Sequence, residues 1–129
     1  AGFLLLAWMQ PKGHWLKWLA FYFLSSVLIS VYLMNSENIA SYVGASGVLH
    51  GLLILGAFFS QWLEPWRRNL MILAIAAKLI WEQTPLYSDA SVGTFIGGHV
   101  ATEAHLIGGV CGLVVIAFYS AKSGIKSAE

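Results

Sequence analysis

Apolar residues occur in long uncharged stretches that short polar segments separate, and this pattern predicts a bundle of membrane helices. No charged residue lies within 18–36, 38–63 or 104–121, and each stretch can supply the roughly 20 residues that cross a hydrocarbon core. We expect an all-α fold with full spans at about Trp15–Met34, Ser46–Leu63, Leu70–Glu82 and Gly98–Ser120, and the end of an earlier helix at residues 2–9.

Polar segments mark the turns between these spans. Residues 10–13 and 64–69 contain the helix breakers Pro or Gly beside charged residues, and residues 83–97 form a longer loop. The pattern offers no division, so we expect one domain over residues 1–129. Because the chain starts at Ala1 within an apolar segment, we interpret it as a fragment that lacks its N-terminal helices.

Composition agrees with a membrane protein. The chain is 58% hydrophobic and 10% charged, whereas soluble domains average about 25% charged residues. A net charge of +1 gives no basis for nucleic-acid binding. The single cysteine, Cys111, cannot form an intrachain disulfide. The lipid bilayer is the expected partner, and no cofactor is expected.

Basic residues concentrate in alternate turns, which predicts an orientation. Six of the seven lie in the first turn, the 64–69 turn and the tail: Lys12, Lys17, Arg67, Arg68, Lys122 and Lys126. The other side receives Glu37, Glu82, Asp89 and Glu103. By the positive-inside rule the basic side is cytoplasmic, so the segments near Ser46 and His105 lie toward the opposite side.

The candidate nucleophile is Ser46, which Gly44 and Gly47 flank. A serine hydroxyl needs a base to take its proton, and the glycines leave room for a substrate backbone. Near a helix N-terminus, free N–H groups can stabilise an oxyanion. The alternative is a serine that only caps a membrane helix.

The candidate base is His105, because histidine titrates near neutrality and ionisable groups within spans are costly. Gly108 and Gly112 lie on the same helical face, and such small residues let two helices approach closely. This face would bring His105 against the helix that bears Ser46. The alternative is ordinary helix packing, with the histidine bonded to a backbone carbonyl.

Other ionisable residues receive lesser roles. His50 lies four residues after Ser46 and is interpreted as lining the cavity or stacking on His105, although it could also act as a base. Glu103 points to a different side of its helix from His105, so we expect a Ser–His dyad without an acid.

Lys78 and Glu82 form an i, i+4 pair, interpreted as a buried ion pair, with substrate-carboxylate binding by Lys78 as the alternative. No metal site is expected, because the four histidines lack ligand spacing on one face.

The order Gly-x-Ser-Gly at 44–47, followed two spans later by Ala-His-x-x-Gly-x-x-x-Gly at 104–112, resembles the rhomboid intramembrane serine proteases. The resemblance covers nearly the whole chain. It implies that residues 1–9 end the family's second helix and that the four full spans are its helices three to six. It also implies that Ser46 is the nucleophile and His105 the general base.

Three segments are more similar to the rhombosortase subgroup: residues 42–51, Lys78-x-x-x-Glu82-Gln83 and residues 103–106. The subgroup implies cleavage of a Gly-Gly-tagged transmembrane tail on exported proteins at the bacterial inner membrane, with the site toward the periplasm. The family's His and Asn oxyanion donors would precede residue 1. His14 does not replace them, since it lies in the turn placed on the cytoplasmic side.

The sequence therefore predicts a serine peptide hydrolase that acts on a transmembrane substrate with a Gly-rich cleavage site, with transfer to an amine acceptor left open. One rival is a non-catalytic rhomboid-like protein that binds and guides membrane helices. Another is a piece of a transporter that uses Lys78, Glu82 and Glu103 as a proton path.

Overall fold

The computed structural model describes residues 15–35, 45–88 and 102–126, and all regular secondary structure within those ranges is α-helical. The helices are α1 (Trp15–Met34), α2 (Ser46–Phe59), α3 (Pro65–Glu82) and α4 (Thr102–Lys126). The expected all-α class is confirmed. The expected helix end at residues 2–9 and most of the loop at 83–97 lie outside the described residues.

Three predicted helix boundaries were wrong. Helix α4 continues to Lys126 rather than ending at Ser120. Helix α2 ends at Phe59 rather than Leu63, because the next residue, Ser60, is extended with φ −62° and ψ 128°. Helix α3 begins at Pro65 rather than Leu70. The proline had been interpreted as a break, but at the first position of a helix its missing N–H costs nothing and its fixed φ favours the helix.

Helix α2 lies at the centre of the bundle. Its buried residues cover most of its circumference: Gly47, Val48, Gly51, Leu52, Ile54, Leu55, Gly56 and Ala57. Helix α1 instead buries one stripe at a helical spacing of three to four residues: Trp18, Phe21, Ser25, Ile29 and Leu33. Apart from the partly buried Tyr22, the other apolar side chains of α1 are exposed, which is the pattern of a helix that faces lipid on one side.

Helices α2 and α4 cross in backbone contact. A Cβ added to Gly108 would overlap the carbonyl of Gly47, and one added to Gly112 would lie 2.8 Å from the carbonyl oxygen of Gly51. A Cβ on Gly47 would in turn lie 2.5 Å from the carbonyl oxygen of Ala104. Small residues on both helices are therefore what lets the two backbones meet.

Two of the described helices are long and apolar enough to cross a membrane, namely Trp15–Met34 with mean hydropathy 1.6 and Thr102–Lys122 with 1.9. Helix α2 is also apolar, but its 14 residues extend only about 21 Å. Together with the exposed apolar face of α1, these helices indicate a membrane protein.

Basic residues near the starts of α1 and α3 lie at the same end of the bundle. Lys17 of α1 lines an apolar cavity of about 500 Å³ together with Phe59 of α2 and Tyr119 of α4. The guanidinium of Arg68 donates to the carbonyl oxygen of Phe58 at 3.4 Å, which adds the start of α3 to the same end. The end of α3 and the start of α4 meet at the other end of the bundle, so Ser46 lies at the opposite end from Lys17 and Arg68.

Candidate active site

Ser46 is the first residue of α2, and its hydroxyl points at α4. Ala45 occupies the N-cap position and the helix has no side-chain cap hydrogen bond. The Oγ atom of Ser46 instead lies 3.0 Å from Nε2 of His105. The capping alternative considered for this serine is therefore not what the structure has.

His105 lies in the first turn of α4 and is 6% exposed. Its second ring nitrogen, Nδ1, lies 2.9 Å from Oε2 of Glu82, the last residue of α3. A carboxylate only accepts hydrogen bonds, so in the neutral imidazole Nδ1 carries the proton and Nε2 has the lone pair. That lone pair faces the Ser46 hydroxyl, which is the arrangement that a general base for serine requires.

His50 stacks on His105 and uses both of its own nitrogens elsewhere. The two rings have centroids 4.4 Å apart and an interplanar angle of 32°. Nδ1 of His50 donates to the carbonyl oxygen of Ser46 at 2.8 Å, and Nε2 accepts from Nζ of Lys78 at 3.1 Å. With both nitrogens in use, the stacking interpretation of His50 fits the geometry better than the base interpretation.

The expected ion pair between Lys78 and Glu82 is present, and the ammonium donates to Oε1 of the carboxylate. The Glu82 side chain is only 4% exposed, whereas that of Lys78 is 50% exposed. Glu82 thus bonds two groups at once, a cation through one oxygen and His105 through the other. The contact with Lys78 was expected from the sequence, whereas the contact with His105 was not.

A further contact joins the same ends of α3 and α4. The side-chain amide of Gln83, which follows α3, donates to the backbone oxygen of Thr102 at 3.1 Å. On the inner face, a Cβ on Gly109 would overlap Cδ1 of Leu79, which is itself 3% exposed. Close packing and this hydrogen bond hold Glu82 beside His105.

The cluster also has the composition of a metal site. One ligand atom each from His50, Glu82 and His105 lies within 4.8 Å of the others. No metal site was expected because the histidines lack ligand spacing on one helical face. The donors here come from three different helices, so spacing within one helix does not reveal them. In the structure the ammonium of Lys78 contacts two of these groups, so a protein cation already supplies positive charge there.

The remaining predicted residues are placed as follows. Gly47 packs against α4, and Gly108 and Gly112 pack against α2 as described above. Glu103 is exposed in the first turn of α4. Gly44 lies outside the described residues.

Comparison with known proteins decides the family. The family model described as the rhomboid domain matches residues 4–122, which is nearly the whole chain. The chain belongs to the rhomboid family. Rhomboids are generally intramembrane serine proteases that act on transmembrane substrates. Neither the curated proteins nor the solved structures contain a match to this rhomboid.

Sequence reasoning missed two features of the rhomboid's site. Glu82 and His105 are 23 residues apart, so no helical spacing could pair them. Gly51 lies against Gly108 and Gly112 of α4, and here a signal was available. Gly47 and Gly51 form the same small-xxx-small spacing that had been recognised on α4.

Proposed function

We propose that this rhomboid is an intramembrane serine endopeptidase in which Ser46 is the nucleophile and His105 is the general base. The observation that carries the proposal is the 3.0 Å separation between Ser46 Oγ and His105 Nε2. It falls within the hydrogen-bond reach that proton transfer needs. The close crossing of α2 and α4 at Gly47 and Gly108 supports the pairing of Ser46 with His105, because it brings the backbones of their two helices together.

The reaction proceeds through an acyl-enzyme. His105 Nε2 takes the hydroxyl proton as Ser46 Oγ attacks the scissile carbonyl carbon. His105 then gives that proton to the leaving amine nitrogen as the C–N bond breaks. Water attacks the ester carbonyl next, its proton passes to His105, and Ser46 regains a proton as the acid product leaves. An amine acceptor in place of water would give an amide product.

The oxyanion of each tetrahedral intermediate needs hydrogen-bond donors. The first turn of a helix presents backbone N–H groups, and Ser46 begins α2. Gly44, two residues before Ser46 in the sequence, brings no side chain to this position, whereas Gly47 packs against α4 and His50 stacks on His105.

The substrate is a transmembrane protein with a Gly-Gly cleavage site, as in the rhombosortase subgroup. A peptide bond inside a helix is shielded, so the substrate must unwind before Ser46 can attack. Each glycine weakens a helix by about 1 kcal/mol relative to alanine, which makes a Gly-Gly segment the place where unwinding costs least.

The proposed topology has four full spans and the end of a fifth in one domain over residues 1–129. Lys17, Arg68 and Lys122 belong to the basic ends of α1, α3 and α4, and the positive-inside rule puts such ends in the cytoplasm. Ser46 and His105 then lie toward the periplasmic side of a bacterial inner membrane. An exported protein would meet them there.

Cleavage in proteoliposomes tests this function. The full-length protein is reconstituted with a reporter that carries Gly-Gly, a transmembrane helix and a basic tail, and mass spectrometry defines the new C-terminus. We expect cleavage by the wild type and by Ser25→Ala, whose serine donates within its own helix, to the carbonyl oxygens of Phe21 at 2.5 Å and Tyr22 at 3.3 Å. We expect none with Ser46→Ala or His105→Ala.

The outcomes separate the alternatives. Cleavage that survives Ser46→Ala would refute the nucleophile assignment. Binding of the reporter without cleavage by the folded wild type would favour a non-catalytic helix-binding rhomboid. Equal cleavage of a reporter with Val-Val in place of Gly-Gly would refute the substrate assignment alone. A new terminus with added mass would identify transfer to an amine rather than hydrolysis.

A further inference from the structure

We infer that Glu82 is a positioning residue that makes the Ser46–His105 pair a triad, and that Lys78 holds this carboxylate in place. The inference rests on the proposed protease function. It goes beyond that function because the sequence and the family resemblance led us to expect a dyad without an acid.

The first argument is the hydrogen bond itself. Glu82 Oε2 accepts from His105 Nδ1 at 2.9 Å, and the two side chains are 4% and 7% exposed. Without this bond the neutral imidazole could carry its proton on either nitrogen. With it, the proton is fixed on Nδ1, so Nε2 always presents a lone pair to Ser46.

The second argument is charge. The carboxylate of Glu82 and the ammonium of Lys78 pair with each other, so the cluster is balanced while His105 is neutral. When His105 takes the serine proton, the imidazolium forms in contact with a carboxylate already aimed at it. A carboxylate in this position stabilises the imidazolium without itself taking the proton.

The ring of His105 is contacted at both nitrogens and on one face. Glu82 bonds one nitrogen and Ser46 faces the other. His50 covers a face of the ring at 4.4 Å between centroids. The same Lys78 ammonium bonds both His50 and Glu82, which links the stacking residue to the positioning residue. If Lys78 and Glu82 served only to neutralise each other, Glu82 would not need its hydrogen bond to His105, and Lys78 would not need its bond to the stacked His50.

The competing explanation is that Glu82 serves only to neutralise Lys78 within the membrane. Under that explanation, replacing Glu82 would change stability but not the proton position on His105. Glu103→Gln is the matched control, since it makes the same chemical change two residues from His105 at an exposed side chain.

The experiment measures the rate of fluorophosphonate labelling of the full-length protein in detergent, with thermal unfolding in parallel. We expect Glu82→Gln to lower the rate on the order of 10²- to 10⁴-fold, as loss of the orienting carboxylate does in Ser-His-Asp enzymes. We expect Glu103→Gln to label like the wild type. Glu82→Asp keeps the charge but shortens the side chain, so its rate should fall between the two.

Nitrogen NMR of isotope-labelled histidine supplies a second readout that a structural role would not move. The His105 signals are assigned by their loss in His105→Ala. We expect a proton on Nδ1 in the wild type and in Ser46→Ala, and a shift toward the Nε2-protonated form in Glu82→Gln, because the amide can donate to Nδ1.

Each result decides the matter. A folded Glu82→Gln variant that labels within about threefold of the wild type, with the His105 proton unmoved, would overturn the triad and leave the protease function standing. Absence of labelling in the folded wild type would remove the protease function and the triad with it. Should Glu82→Gln fail to fold, a wild-type labelling rate in Glu82→Asp with the His105 proton displaced from Nδ1 would equally overturn the inference.

Discussion

Replacing Gly108 with alanine should force α2 and α4 apart and disconnect Ser46 from His105. At the neighbouring contact, a Cβ on Gly112 would lie 2.8 Å from the Gly51 carbonyl oxygen, about 0.6 Å short of the 3.4 Å at which ordinary contact begins. The Cβ of Gly108→Ala meets the Gly47 carbonyl with even less room. Backbone cannot rotate away as a side chain can, so the helices must separate by at least a similar amount.

That separation is enough to break the site. A helix displacement of about 0.6 Å would lengthen the 3.0 Å separation between Ser46 Oγ and His105 Nε2 to about 3.6 Å, which is beyond hydrogen-bond range. Overpacking of this kind typically costs about 1–3 kcal/mol of stability, and a misplacement approaching 1 Å at reacting atoms can cost about 10²-fold in rate. We therefore expect fluorophosphonate labelling of Gly108→Ala to fall by about 10- to 100-fold, with a lower unfolding temperature.

Gly109→Ala is the matched control for this substitution. Its Cβ would meet Cδ1 of Leu79, the end of a flexible side chain that can change rotamer, rather than the backbone of α2. Because Leu79 packs beside Glu82, some loss of labelling is expected, but less than for Gly108→Ala. Equal labelling and equal unfolding temperatures for Gly108→Ala and wild type would refute the backbone crossing and the reasoning built on it.

Three further predictions concern the cluster around His105. His50→Phe should keep most of the labelling rate because the ring stack survives, whereas His50→Ala should lose about three- to tenfold; equal rates would show that stacking contributes nothing. Lys78→Met leaves the buried carboxylate of Glu82 without its cation, so it should lower the free energy of unfolding by about 1–3 kcal/mol in thermal or denaturant unfolding, while Lys78→Arg should not. Equal stability of the two variants would contradict the ion pair. A chelator should leave labelling unchanged, and inhibition by it would indicate a metal held by His50, Glu82 and His105.

Much of the fold follows from the sequence because membrane helices are encoded locally. Residues 18–34 are mostly apolar and carry no charge, and the structure has a helix with the predicted bounds Trp15–Met34. The ends of α2 and α3 were harder to predict, since Pro65 can either break a helix or begin one. In the structure the chain leaves α2 at Ser60, which is extended, and Pro65 begins α3.

The candidate site divides in a similar way. Gly108 and Gly112 share a face with His105, so their spacing alone indicated which side of α4 would meet the helix of Ser46. The contact of Glu82 with His105 depends on how α3 packs against α4, a tertiary arrangement with no signature in either helix. A carboxylate that already has a lysine four residues away gives no sign that it needs a second partner.

The most direct test of the account is to identify the atom that a fluorophosphonate modifies in the full-length protein. The account predicts one adduct, on the peptide that contains Ser46, formed by the wild type and by Ser25→Ala and absent from His105→Ala. An adduct on any other residue, or a Ser46 adduct that forms at the wild-type rate in folded His105→Ala, would contradict the claim that these two side chains act together as nucleophile and base.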